Sequence, residues 1–200
     1  IAQAVKLSGR GENYSFINGT ITDLNTCREA VKGVDYVLNH AALISVPASM
    51  KEPAAYHEVN TSGFMNILQA SHENKVKRVI FASSSAVYGD GENMPKVESD
   101  AGKCLSPYAM TKYVNEICAE FFSLVQFRGE SSEKSLDVRT CSDSDGKCAP
   151  AMEWWRSQSE RSDDRALAIG SDPACGGKTC ETGFERVSAK AMPEPLLPFV

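Results

Sequence analysis

The chain has 200 residues, a formal net charge of -5, and 42% hydrophobic against 24% charged residues. That length holds one medium domain with a real core, and the acidic balance argues against general nucleic-acid binding. No apolar run approaches the ~20 residues that cross a bilayer, and no secretory signal opens the chain, so a cytoplasmic setting is expected.

Tyr14-Ser15-Phe16-Ile17 reads as a short strand. Thr22 or Asp23 can cap a helix with Leu24, Cys27, Ala30 and Val31 on one face, and Gly33 stops it. Asp35-Tyr36-Val37-Leu38 is a buried strand running into Asn39-His40-Ala41-Ala42. Pro53 opens a long helix carrying Val59, Met65, Ile67, Leu68 and Ala70. Val79-Ile80-Phe81-Ala82 is the next buried strand, ending in Ser83-Ser84-Ser85. A loop from Gly89 leads to Pro107, where another helix runs to about Phe122. Strands alternating with helices predict parallel pairing with crossover helices, a doubly wound α/β sheet. Ligands of such sheets bind at the carboxyl ends of strands, which nominates Asn39-His40 and Ser83-Ser84-Ser85.

The chemistry-bearing segment is Ser106-Pro107-Tyr108-Ala109-Met110-Thr111-Lys112. Ser106 can cap a helix and Pro107 suits its first turn. Tyr108 and Lys112 then share one helix face. An ammonium near a phenol favours the phenolate, lowering a reference value of about 10 toward neutrality. Tyr108 is therefore a candidate general base for a hydroxyl group. Tyr-x-x-x-Lys spacing alone is weak, since ordinary helix faces produce it often. The seven cysteines (Cys27, Cys104, Cys118, Cys141, Cys148, Cys175 and Cys180) are odd in number and loosely spaced, and read as reduced thiols rather than zinc ligands. His40, His57 and His72 are weak candidates, and His40 reads as a packing or hydrogen-bonding residue.

Context sharpens the tyrosine. Between residues 14 and 123 the chain resembles the extended short-chain dehydrogenases/reductases of the NAD-dependent epimerase/dehydratase type, above all the UDP-N-acetylglucosamine and UDP-glucose 4-epimerases. The resemblance rests on Gly33-Val34-Asp35-Tyr36-Val37-Leu38, on Ala41-Ala42-Leu43 with Ser45-Val46-Pro47, and on Asn60 with Gly63-Phe64-Met65-Asn66. It continues through Ala82-Ser83-Ser84-Ser85-Ala86-Val87-Tyr88-Gly89, Pro95-Lys96-Val97-Glu98, and Leu105 through Asn115-Glu116. It implies an NAD cofactor and a nucleotide-sugar substrate, a UDP-hexose or UDP-N-acetylhexosamine. It implies Tyr108 as catalytic base toward the sugar 4-hydroxyl, Lys112 on the nicotinamide ribose, and Ser84 as the catalytic hydroxyl. It implies Ala41, Ala42 and Ser83, with Tyr108 and Lys112, on the cofactor, and Ser45, Ser84 and Ser85 toward the sugar. Asn60 is implied to pack near the active-site helix, and the full-length parent to be a homodimer. Sister dehydratases carry Asp-Glu after the catalytic hydroxyl, where this chain has Ser85 and Ala86, which favours an epimerase. The alternatives are another member of the family, such as a dehydratase or reductase, or a truncated non-catalytic paralogue that dimerises with a relative.

Three departures shape the expectations. The Gly-rich phosphate loop is expected upstream of Ile1, and Gly9-Arg10-Gly11 does not replace it. Thr20 stands where the family has an adenine-contacting Asp. The substrate-binding region is not recognisable after Ser123. The expected fold is a partial doubly wound (Rossmann-like) parallel sheet in residues 1–123, lacking its first strands and open at that edge, with a largely disordered tail over 124–200. Large apolar residues are sparse there, and Trp154-Trp155 or Cys175 and Cys180 make no pattern. Codon degeneracy allows a shifted frame across Thr140-Cys141-Ser142-Asp143 to spell Asn-Val-Phe-Gly, and the same shift across Gly177 to Gly183 to spell Lys-Asn-Val-Arg-Asp-Trp. The tail is therefore read as a frameshifted remnant of the substrate domain, the competing readings being a genuine disordered tail or an alternative exon, and the chain on its own is read as inactive.

Overall fold

A computed structural model describes residues 14–91, 94, 96–125, 137–141, 165–171 and 182–188. Six strands form one sheet: β1 (Tyr14–Gly19), β2 (Tyr36–Asn39), β3 (Arg78–Ala82), β4 (Asp137–Cys141), β5 (Arg165–Ser171) and β6 (Thr182–Ser188). Their order is β1-β6-β5-β2-β3-β4. Parallel pairs join β5 to β2, β2 to β3 and β3 to β4, while β6 lies antiparallel between β1 and β5. Five strands thus share one direction, and their carboxyl ends form one rim.

The helices are α1 (Leu24–Val31), α2 (Val46–Lys51), α3 (Pro53–Tyr56), α4 (Gly63–Glu73) and α5 (Pro107–Val125), with a π-helical turn at His57–Ser62 joining α3 to α4. Asp23 caps α1 by accepting from the Asn25 amide, and Gly33 follows that helix with φ 71°. The predicted Pro53 helix is thus one continuous rod with a π turn inside it. Helices α1, α4 and α5 pack side by side. Beneath them Val37, Val79, Phe81, Leu167, Ile169 and Phe184 of the sheet meet Ile67, Leu68 and Phe64 in one buried core. The Phe64 and Phe81 rings lie 4.6 Å apart. Full burial of each such side chain stabilises the fold by about 1.5–3 kcal/mol.

Two residues of the Gly63-Phe64-Met65-Asn66 segment explain their own presence. A Cβ on Gly63 would sit 2.6 Å from Ile21 Cγ1, so α4 seats there only without a side chain. One turn on, Asn66 Nδ2 donates to the carbonyls of Ile21 (2.9 Å) and Thr22 (3.1 Å), locking α4 onto the β1–α1 turn.

Three segments after Ser123 are among the described residues, as β4, β5 and β6. Strand β5 is central, and Leu167, Ala168 and Ile169 are all buried. A strand buried on both faces shows no period-two alternation, and its alanines keep it from reading as strongly apolar. Strands β5 and β6 stand in the two positions between β1 and β2. Asp35 helps fix this join: its carboxylate accepts from the Arg165 amide (2.9 Å) and its amide donates to the Arg165 carbonyl (2.8 Å). The remaining residues of 124–200 that were expected to be of low order, including Trp154-Trp155, Cys175 and Cys180, lie outside the described residues. So does Gly9-Arg10-Gly11.

Candidate active site

The site is built from β3, which ends in serines, and α5, which lies across that end. Ser106 begins α5 by accepting from the Ala109 amide at 3.1 Å, and Pro107 supplies a residue with no amide hydrogen to satisfy. This start places Tyr108, Lys112 and Glu116 on successive turns of one face. Lys112 is 4% exposed, and its Nζ donates to the Ala82 carbonyl at 2.9 Å. Burial pulls its amine down to about 8. It therefore still carries its charge at neutral pH, which the proposed effect on Tyr108 requires. One turn on, Ser83 Oγ donates to the Glu116 carboxylate. Burial raises the Glu116 carboxyl, and the Ser83 hydrogen bond partly opposes it.

Ser84 has an extended backbone and caps the 3-10 turn Ser85–Tyr88, its Oγ accepting from the Ala86 amide at 3.2 Å. That bond uses a lone pair and leaves the hydroxyl proton free to donate. Helix α5 packs on this turn. Tyr108 is buried in a small cluster with Leu43 and Tyr56, and Ala48 and Ala86 lean on it. The Tyr56 and Tyr108 rings meet edge-on at 6.4 Å and 89°. Beyond Tyr88, Gly89 has φ 64°, and a Cβ there would lie 2.3 Å from the Lys103 carbonyl oxygen. Only glycine lets the following loop fold back this tightly.

The loop after β2 forms the opposite wall. Ala41 and Ala42 are buried, and the Asn39 side chain accepts from the Ala41 amide at 3.2 Å. Ser45 is exposed and caps α2 by accepting from the Ala48 amide, while its own amide donates to Tyr56 Oη at 3.1 Å. Tyr56, which sequence patterning did not single out, therefore ties the Ser45 loop to Tyr108. Ser85 is exposed beside Ser84. His40 is exposed, and its backbone amide donates to the Ile169 carbonyl at 2.8 Å. Thr20 is half-buried with its hydroxyl on the Thr22 hydroxyl at 2.9 Å.

Asn60 holds the two walls together. Its Oδ1 accepts from the Leu43 amide at 2.7 Å, and its Nδ2 donates to the Leu43 carbonyl (3.0 Å) and Thr111 Oγ1 (3.1 Å). The π turn exposes its carbonyl, which accepts from Asn115 Nδ2 at 3.0 Å. No group of three or more metal-ligating side chains occurs among the described residues. No helix among them is long and apolar enough to cross a membrane.

A doubly wound sheet with a Tyr-x-x-x-Lys helix laid over a hydroxyl-bearing strand end defines the short-chain dehydrogenase/reductase class. The model of the NAD dependent epimerase/dehydratase family matches residues 2–123, and the chain belongs to that family. Over 109 residues it is 34% identical to UDP-glucose 4-epimerase of Drosophila melanogaster, covering 53% of this chain and 31% of that protein. It resembles the solved UDP-N-acetylglucosamine 4-epimerase of Methanobrevibacter ruminantium at 37% identity and TM-score 0.50, covering 57% of this chain and 34% of that one. A dTDP-glucose 4,6-dehydratase double mutant from Streptomyces venezuelae, solved with NAD bound, matches at 28% identity and TM-score 0.55, covering 62% of this chain and 36% of that one. The chain thus spans about a third of the length of these relatives.

NAD is the family's cofactor. Tyr108 and Lys112 suit a nicotinamide ribose, with a phenol and an ammonium on one face at the strand rim. For the pyrophosphate end, doubly wound sheets use a helix N-terminus following the strand at the switch point; among the described residues the element that follows β5, beside β2, is the antiparallel β6.

Proposed function

We propose that residues 14–123 carry the proton-handling half of a nucleotide-sugar 4-epimerase acting on a UDP-hexose or UDP-N-acetylhexosamine. The observation that carries this reading is the α5 face: Tyr108 buried beside Leu43, with Lys112 one turn on, fixed to the end of the serine-bearing strand. Tyr108 takes the proton of the sugar 4-hydroxyl and later returns it. Ser84 donates its free hydroxyl proton to the same oxygen and steadies it. Lys112 holds the phenol toward its ionised form by charge. Bound NAD supplies one thing, the uptake and return of a hydride at C4. Ala41, Ala42 and Ser83 line the cofactor's side, and Ser45 and Ser85 face the sugar. Ser85 and Ala86 provide no acid-base pair for eliminating water, which supports epimerisation over dehydration. We expect the 200-residue chain alone to yield no epimer from NAD and UDP-N-acetylglucosamine, and clear turnover would contradict this.

The test is a chimera in which residues 14–123 replace the matching segment of the Drosophila UDP-glucose 4-epimerase, with products separated by chromatography. UDP-galactose from UDP-glucose supports the reading. A 4-keto-6-deoxy product assigns dehydratase chemistry instead.

A second reading has its own observation. Met110, Ile117 and Phe121, each about half exposed, form a stripe along α5. This supports pairing of α5 with a second copy, as in a homodimeric parent, or with a full-length relative. Size-exclusion chromatography of the chain alone and mixed with such a relative separates the two cases.

A further inference from the structure

Helix α5 grips the end of β3 twice. Lys112 Nζ donates to the Ala82 carbonyl at 2.9 Å, and one turn on Glu116 accepts from Ser83 Oγ. These are successive residues of the strand end, and Ser84 is the next. We propose that Glu116 is a positioning residue for the proton-handling site, acting through Ser83 to hold the strand end where Lys112 can engage it. The proposal rests on the function proposed above.

Three features support it. Ser83 is committed to Glu116, so of the three serines only Ser84 and Ser85 keep a hydroxyl for substrate. Glu116 is half-buried and belongs to no ion pair among the described residues. Burial without a counterion is costly for a carboxylate, and the Ser83 hydroxyl is what offsets it. Finally, the two grips have different chemistry. The lysine's hydrogen bond goes to a backbone carbonyl, which exists for any residue at position 82. The glutamate's bond needs a hydroxyl at position 83, so it sets the register of the serines along the rim. Release of Ser83 lets the strand end drift, loosens Lys112 from Ala82, and weakens its effect on Tyr108.

The test uses the whole chain labelled with 13Cζ-tyrosine. NMR follows the titration of Tyr108, assigned by its loss in Y108F, in the wild type and in E116Q, E116A, S83A and K112M. Gln keeps an acceptor for Ser83, so E116Q should leave the Tyr108 midpoint within about 0.3 unit of the wild type. E116A and S83A should raise it by roughly 0.5–1 unit. A through-space effect of the carboxylate charge predicts the opposite, with Gln and Ala lowering the midpoint alike. That pattern, or no shift in either E116A or S83A, overturns the proposal. K112M reports separately on the underlying reading: if it leaves Tyr108 unmoved, the Tyr108–Lys112 coupling itself fails, whatever the Glu116 variants show. Amide spectra establish that each variant is folded, and S83A carries the test if E116A is not.

Discussion

Lys112 carries a distinct energetic signature. Its amine falls from 10.5 to about 8 because it is buried. Between those values the unfolded chain binds more protons than the folded one, so stability rises with pH across that window. Below about 8 the burial cost is present in full and constant. A shift of this size corresponds to a change on the order of 3 kcal/mol. Lys112→Met removes the slope, so urea titrations at pH 8 and pH 10 should show wild type gaining on K112M by about 2 kcal/mol, the part of the window they span; parallel behaviour would contradict it. Cys27 is a second residue-scale case. It is fully buried, with its thiol on the Ile21 carbonyl, and burial pushes it up to about 12. Iodoacetamide at pH 8 should leave Cys27 unmodified in the native chain and alkylate it in urea, as read by peptide mass spectrometry. The sequence showed Tyr108, Lys112 and Ser84 because Tyr-x-x-x-Lys spacing and the serine cluster are local in the chain. Glu116 and Tyr56 gave less signal, because their partners Ser83 and Ser45 are 33 and 11 residues away.

Among the elements, the rod from Pro53 to Glu73 sets the walls of the site relative to each other. A regular helix was legible from its apolar spacing, but the π turn was not. Periodicity reports a mean repeat and is blind to one extra residue in a single turn. That extra residue places Asn60 inward with bonds to both walls. Asn60→Ala leaves the Leu43 amide and carbonyl unpaired in a buried place. Unsatisfied buried groups cost about 1–3 kcal/mol each, so the variant should lose roughly 2–4 kcal/mol in equilibrium unfolding. A loss below about 1 kcal/mol would mean that the two walls are held by packing alone.

The whole molecule joins two parts of very different legibility. Residues 14–123 follow sequence rules at every level, with caps, crossover helices and strand-end polar residues in agreement. Strands β4 to β6 do not; in β5, Leu167, Ala168 and Ile169 are buried in succession, and a strand buried on both faces carries little alternating pattern of its own. Their place in the fold is nonetheless specific. Leu167 is fully buried against the same core as Phe64 and Phe81. Leu167→Ala should therefore destabilise the folded domain by about 3 kcal/mol, whereas a strand merely resting beside β2 would cost nothing on truncation. The most direct test of the proton-handling site as a whole is the turnover of the Drosophila chimera with and without Tyr108→Phe. The proposed role of Tyr108 predicts UDP-galactose formation that falls by at least about 100-fold in the variant, with the fold and NAD binding retained. Equal turnover in the two proteins would contradict it.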